Sequence, residues 1–153
     1  MTEVAFRSAI TDEALTWIGT PYHLNGCVKG VGSNCAAFLF AVAKNAGAIA
    51  PDAPAPRWYT PQLATHSKEE RLVAYVLAYG AREIAEAEVR AGDIVLYKSG
   101  QAHGHAAIVI SWPRIIHVIT PWGCQAGKVD EGRLSAFTRR YFTLWSGGTD
   151  GNL

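Results

Sequence analysis

Cysteine is scarce in this chain: Cys27, Cys35 and Cys124 are the only three among 153 residues. Their number and irregular spacing exclude a disulfide framework and a CxxC zinc ribbon, and an odd count cannot pair completely within the chain. Neither sign of charge is in excess. Fourteen Lys plus Arg stand against thirteen Asp plus Glu, a net charge of +1, so no basic footprint points to a nucleic-acid partner and no acidic block to a solvating tail. Long apolar runs are missing as well. The longest, Ala36 to Ala43, falls far short of the roughly 20 residues that a bilayer span needs, so no membrane insertion is expected. The opening Met-Thr-Glu-Val-Ala-Phe-Arg-Ser has no charged n-region, apolar h-region or small-residue cleavage site, and predicts synthesis in the cytoplasm without a signal peptide of the usual kind.

Apolar material is plentiful in comparison. Hydrophobic residues make up 49% of the chain, with five Trp, six Tyr and five Phe, enough to bury one core and to fold residues 1–153 as one domain. Helical spacing of Val4, Ile10, Ala14, Trp17 and Ile18 predicts one or two short helices before Gly19-Thr20-Pro21 ends the pattern. Residues 22–33 carry Gly26, Gly30 and Gly32 and read as a flexible loop rather than a strand. Asn34 is a good N-cap and Gly47 a good C′ residue for a helix apolar almost all round, which predicts a buried central element.

Four of the seven prolines lie between Pro51 and Pro61, with Arg57, Trp58 and Tyr59 among them, the composition of an ordered surface loop. Ser67 with Glu70 fits a capping box for a helix to about Tyr79, expected on the rim. After Gly80 come short β-branched and aromatic runs at 82–85, 93–98, 105–110, 114–120 and 141–145. Helices first and strands later predict an α+β fold with an antiparallel sheet.

Cys35 would occupy the first turn of the central helix, where the N–H groups and the helix dipole favour a thiolate. It is either a nucleophile or a buried structural thiol, and a partner base has to decide. Two histidines offer themselves. With a three-residue loop Ser111-Trp112-Pro113, Ile110 would oppose Arg114 and Ala107 would oppose His117, bringing His105 and His117 out on one face; a loop of two or four residues would separate them. On one face, His105 could take the thiol proton and His117 could orient it. His103, His105, His117 and a cysteine form an alternative zinc set. Tyr22, just before the glycine-rich loop, is either a second oxyanion donor or a packing ring. Arg133, Arg139 and Arg140 read as a solvated face.

Trp17-Ile18-Gly19-Thr20-Pro21-Tyr22, Gly30-Val31-Gly32-Ser33-Asn34-Cys35, Ala91-Gly92-Asp93-Ile94-Val95-Leu96, His105-Ala106-Ala107-Ile108-Val109 and Ile116-His117 resemble, in order and spacing, the motifs of the NlpC/P60 cysteine peptidases. The Gly-Thr-Pro-Tyr-His opening and the Lys-Gly-Val-Gly stretch are most similar to the compact peptidases of phage and prophage tails and gene transfer agents. The resemblance implies a papain-like fold with the Cys-bearing helix on a C-terminal antiparallel sheet, and no metal or cofactor. It places Cys35 on the nucleophile, His105 on the base, His117 on the orienting residue and Tyr22 beside the nucleophile.

The substrate so implied is the peptide stem of bacterial peptidoglycan, often cut between D-glutamate and the diamino acid. The site of action would be the periplasm or cell wall, reached through a phage-like tail or a secretion partner. Asn34-Cys35-Ala36-Ala37 departs from the family's Asp-Cys-Ser-Gly or Asp-Cys-Leu-Gly. This departure motivates one alternative, a structural tail component with weak catalysis, and the same machinery used as a secreted interbacterial amidase effector is another; the extra methyl of Ala37 is expected to narrow the pocket.

Overall fold

The computed structural model describes residues 1–57 and 61–147. Helix α1 (Glu3–Leu15) is a single helix, started by the Thr2 hydroxyl accepting from the Ala5 N–H at 3.1 Å. Helix α2 (Cys35–Asn45) ends on Ala46 and on Gly47 with φ +74°. Helices α3 (Pro61–His66) and α4 (Arg71–Ala78) follow. The proline-rich segment to Arg57 is irregular, and the expectation for Trp58 and Tyr59 falls outside the described residues.

The expected loop at 22–33 contains a small antiparallel ribbon, β1 (Cys27–Val28) with β2 (Gly32–Ser33). The main sheet has six antiparallel strands: β3 (Arg82–Ile84), β4 (Ile94–Lys98), β5 (His103–Ser111), β6 (Arg114–Ile119), β7 (Gly123–Lys128) and β8 (Arg139–Thr143). They lie in the order β3-β8-β4-β5-β6-β7. The fold is therefore α+β with an antiparallel sheet, as the segregation of helices and strands required.

Two cores flank the sheet, which is why the central strands read as continuous apolar runs. The larger holds Ala36, Phe38, Leu39 and Val42 of α2 against Ile94, Leu96, Ala106, Ile108 and Ile116, with Trp17 and Val76 beside them. Helix α4 thus contributes Leu72, Val73 and Val76 to this core and is not a rim element. The smaller core, on the other face, joins Val95, Tyr97, Ala107, Val109 and Ile115 to Val129 and Leu134.

The expected Ser67–Glu70 capping box is absent. Ser67 Oγ accepts from the Glu69 N–H, and Glu70, the residue before α4, makes no side-chain cap, because its carboxylate is committed to β5. A second tie runs between α1 and the start of β4. Arg7 Nη1 donates to Asp93 Oδ1 at 2.7 Å and to the Ala91 carbonyl at 3.0 Å, and Asp93 Oδ2 accepts from the Arg90 N–H at 2.8 Å. Asp93 is 1% exposed, so the bonds that surround it stand in for the water it has lost.

Candidate active site

The cap on the Cys35 helix is Asn34. Its Oδ1 accepts from the Ala37 N–H at 2.8 Å, while its Nδ2 donates to the Leu24 carbonyl at 2.7 Å. One side chain therefore caps the helix and fastens the glycine-containing segment; an aspartate in its place could accept but not donate. Cys35 follows, 2% exposed, with its thiol 3.7 Å from the Gly104 carbonyl. Ala37 turns away from this point. It lines a separate cavity of 320 Å³ with Cys27, Phe40 and Arg57, so its methyl does not narrow the pocket that Cys35 faces.

His105 lies opposite Tyr97 on β4, and His117 follows Ile115 on β6. Both imidazoles thus occupy the face of the smaller core, at the end of the sheet where Gly104 meets Cys35. His105 Nε2 and His117 Nδ1 are 2.8 Å apart, with the rings edge to face at 5.1 Å.

The hairpin that brings them together differs from the expected one. Ser111 pairs with Arg114, leaving a two-residue loop, yet Ile108 faces Ile116 and Val109 faces Ile115, because Ile110 is bulged out. The bulge supplies the missing residue and restores the register that a three-residue loop would have set. Burial pushes both imidazoles well below their ordinary 6.5, and His117 pushes His105 further, so the resting pair is neutral.

Cys35, His105, His117 and Tyr22 line one cavity of 670 Å³. Tyr22 is held by a bridge to Ser33. The segment before it is held by β7: Gly19 N–H donates to the Cys124 carbonyl at 2.9 Å and Cys124 N–H to the Thr20 carbonyl at 2.8 Å. Gly123, at φ +86°, abuts the Thr20 carbonyl so closely that no side chain could stand there.

His103 does not join the others. Its N–H and its ring Nδ1 both meet the Glu70 carboxylate at 2.7 Å, and among the described residues no three His, Cys, Asp or Glu side chains gather as a metal-ligand group. Cys124 is buried, which pushes its thiol up to about 12, and burial also raises Cys27.

Among the cavity-lining residues that the sequence did not point to are Trp122, 73% exposed on the rim, Gln125, Glu131 and Arg133. The three arginines taken as one solvated face separate here. Arg140 pairs with Glu83 at 2.7 Å and Arg139 approaches Glu86 at 3.6 Å, whereas Arg133 faces the cavity. The only local signal for Trp122 was its place just past the strand that carries His117.

Residues 19–143 match the NlpC/P60 family. The chain belongs to that family. Solved NlpC/P60 structures share its fold. The NlpC/P60 domain of the peptidoglycan hydrolase SagA superposes with a TM-score of 0.57 at 22% identity, over 88% of this chain and 96% of that one. An NlpC/P60 family protein of Staphylococcus aureus, described as similar to lipoprotein, gives 0.62 at 22% identity, covering 92% of this chain but 42% of its own length. RipD of Mycobacterium tuberculosis, described as a non-catalytic NlpC/P60 domain protein adapted to peptidoglycan binding, gives 0.57 at 13% identity over 92% and 98%. No protein of curated function matches the sequence. The NlpC/P60 fold thus accommodates both hydrolysis and binding, and the side chains in the cavity have to discriminate between them.

Proposed function

We propose that this NlpC/P60 domain is a cysteine hydrolase of peptidoglycan stem peptides. The observation that carries the reading is the meeting, in one cavity, of a cysteine at a helix N-terminus and a hydrogen-bonded pair of histidines. For His105 to accept the thiol proton its Nδ1 must be bare, so its Nε2–H donates to His117 Nδ1 and fixes the ring. Cys35 then attacks the amide carbon as its proton passes to His105. The oxyanion is received by the Cys35 N–H and the Tyr22 phenol, and His105 protonates the leaving amine. Water, deprotonated by His105, cleaves the thioester.

The bond between D-glutamate and the diamino acid is the finer assignment, supported by family resemblance. Arg133 on the cavity wall suits the carboxylates of such stems. Delivery by a phage-like tail, with action in the periplasm or wall, is supported by the Gly-Thr-Pro-Tyr-His and Lys-Gly-Val-Gly stretches. The near-neutral charge supports it too, since it gives little electrostatic attraction to the wall.

The test is digestion of purified peptidoglycan by wild type and by Cys35→Ala, with the new termini identified by mass spectrometry. Wild type should release defined termini and insensitivity to EDTA should accompany that activity, while Cys35→Ala folds and releases none. Equal release by both would end the reading. Binding of peptidoglycan by wild type without cleavage would place the domain with the non-catalytic binders.

A further inference from the structure

If His105 Nε2–H donates to His117 Nδ1, then His117 carries its own proton on Nε2. That nitrogen faces Gly127 on the neighbouring strand. A methyl built on Gly127 would lie 3.8 Å from His117 Nε2 and 2.8 Å from Glu131 Oε2, so the carboxylate and the imidazole N–H share the space that this glycine leaves open. Gly127 lies within β7 and its φ is not in the left-handed region; what its missing side chain provides here is clearance.

We propose that Glu131 is a positioning residue for the catalytic pair, acting through His117: its carboxylate is the counter-charge toward which His117 Nε2–H points when a proton arrives from Cys35. The inference rests on the cysteine-hydrolase reading.

The surroundings favour the role. The Glu131 side chain makes no ion pair among the described residues, so its rotation toward Nε2 breaks no existing pair. Its backbone is held: the Glu131 N–H donates to the Lys128 carbonyl at 3.1 Å, the Leu134 N–H donates to the Glu131 carbonyl at 3.0 Å, and the nearby Val129 carbonyl accepts the Tyr97 hydroxyl at 2.6 Å. With His117 buried and His105 half-buried, the pair resists taking up charge, and an anion within a few ångströms offsets that cost.

The charged and titratable groups facing the pair are Cys35 from α2, Tyr22 from the segment before it, Tyr97 from β4, whose ring lies 5.6 Å from that of His105, and Glu131 and Arg133 from the turn after β7. The cross-strand neighbour Gln125 is neutral. Of these, Glu131 carries the one carboxyl group. During transfer the proton leaves Cys35 Sγ for His105 Nδ1, and the resulting positive charge is shared with His117 through the Nε2···Nδ1 bond.

The experiment follows alkylation of Cys35 by iodoacetamide against pH, with the site read by peptide mass, because this reports the thiolate–imidazolium pair without a substrate. At pH 7, Glu131→Gln should slow alkylation about five- to tenfold, and the two proteins should converge near pH 9.5, where the thiol ionises without help from histidine. Gly127→Ala, which pushes the carboxylate aside, should fall between them, and Asp130→Asn should match wild type. On a stem peptide, kcat of Glu131→Gln should drop while KM stays within about twofold. Slowing by the same factor at every pH, an equal effect of Asp130→Asn, or a raised KM with unchanged alkylation would overturn the proposal. A wild-type Cys35 inert at neutral pH would overturn both this proposal and the cysteine-hydrolase reading, whereas normal alkylation that ignores Glu131 overturns this one alone.

Discussion

His103 and His105 stand two residues apart on the same strand and live in opposite chemical worlds. His103 has a carboxylate: Glu70 takes both its N–H and its ring, with Arg140 at 4.0 Å from the same carboxylate. His105 has another neutral imidazole at 2.8 Å. A histidine tied to an anion holds the chain in place. A histidine paired with a neutral acceptor keeps a nitrogen open for a proton. Gly104 separates them and carries the carbonyl next to the Cys35 thiol, so the clamped His103 sets the start of the strand from which His105 projects.

The contrast can be broken most strongly at the histidines themselves. His105→Ala should lower kcat/KM on stem peptides by at least ~10³-fold, with the melting temperature little changed. His103→Ala should do the reverse, lowering the melting temperature while the surviving folded enzyme keeps most of its kcat. A calorimetric scan and initial rates on the two variants check this, and a similar loss of kcat in both would erase the distinction.

The two regions should also separate along the pH axis. In the His105–His117 pair the imidazoles are held below 6.5, so the unfolded chain binds more protons and stability is lost as pH falls from about 6.5. At Glu70, burial alone would raise the carboxyl, but the His103 N–H and ring and Arg140 outweigh it and hold it below 4.5. Its contribution is therefore complete above 4.5 and is lost only as pH falls through the lowered value. Urea unfolding from pH 7 to 3 should show two limbs. Replacing both His105 and His117 with Gln should flatten the upper limb, and Glu70→Gln the lower one. Since the Glu70 side chain is 34% exposed, its loss should cost only about 1–2 kcal/mol at neutral pH.

The smallest effect is expected at Asn34, the cap that serves the Cys35 helix and the loop together. Asn34→Asp keeps the acceptor for the Ala37 N–H but sets an oxygen against the Leu24 carbonyl, and should cost about 1 kcal/mol in urea unfolding. It should also slow Cys35 alkylation at neutral pH, since a new negative charge beside the thiol disfavours the thiolate. Unchanged alkylation would show that Asn34 matters only as a fastener.

The legible parts of the molecule were those dictated by local chemistry. Asn34, the apolar run to Ala43 and Gly47 announce a capped buried helix, and β-branched runs announce β4, β5 and β6. Strand β7, Gly-Cys-Gln-Ala-Gly-Lys, was not readable, because its residues lack strand propensity and tertiary pairing with β6 overrides that. Its glycines serve approach instead, at Thr20 and at Glu131. Glu70 looked like a helix cap because sequence spacing cannot show a carboxylate leaving its own helix for a strand 33 residues away. Glu131 and Arg133 were hidden for the same reason, since their neighbours in the cavity are distant in the chain.

The bulge at Ile110 makes the β5–β6 hairpin a parity device. One residue added to the Trp112-Pro113 turn and one removed from the bulge would cancel, while either change alone would send His105 and His117 to opposite sides of the sheet. Alignment of this hairpin with a relative is therefore better anchored on the two histidines than on the turn, and grafting of loops here is constrained by odd and even counts more than by length.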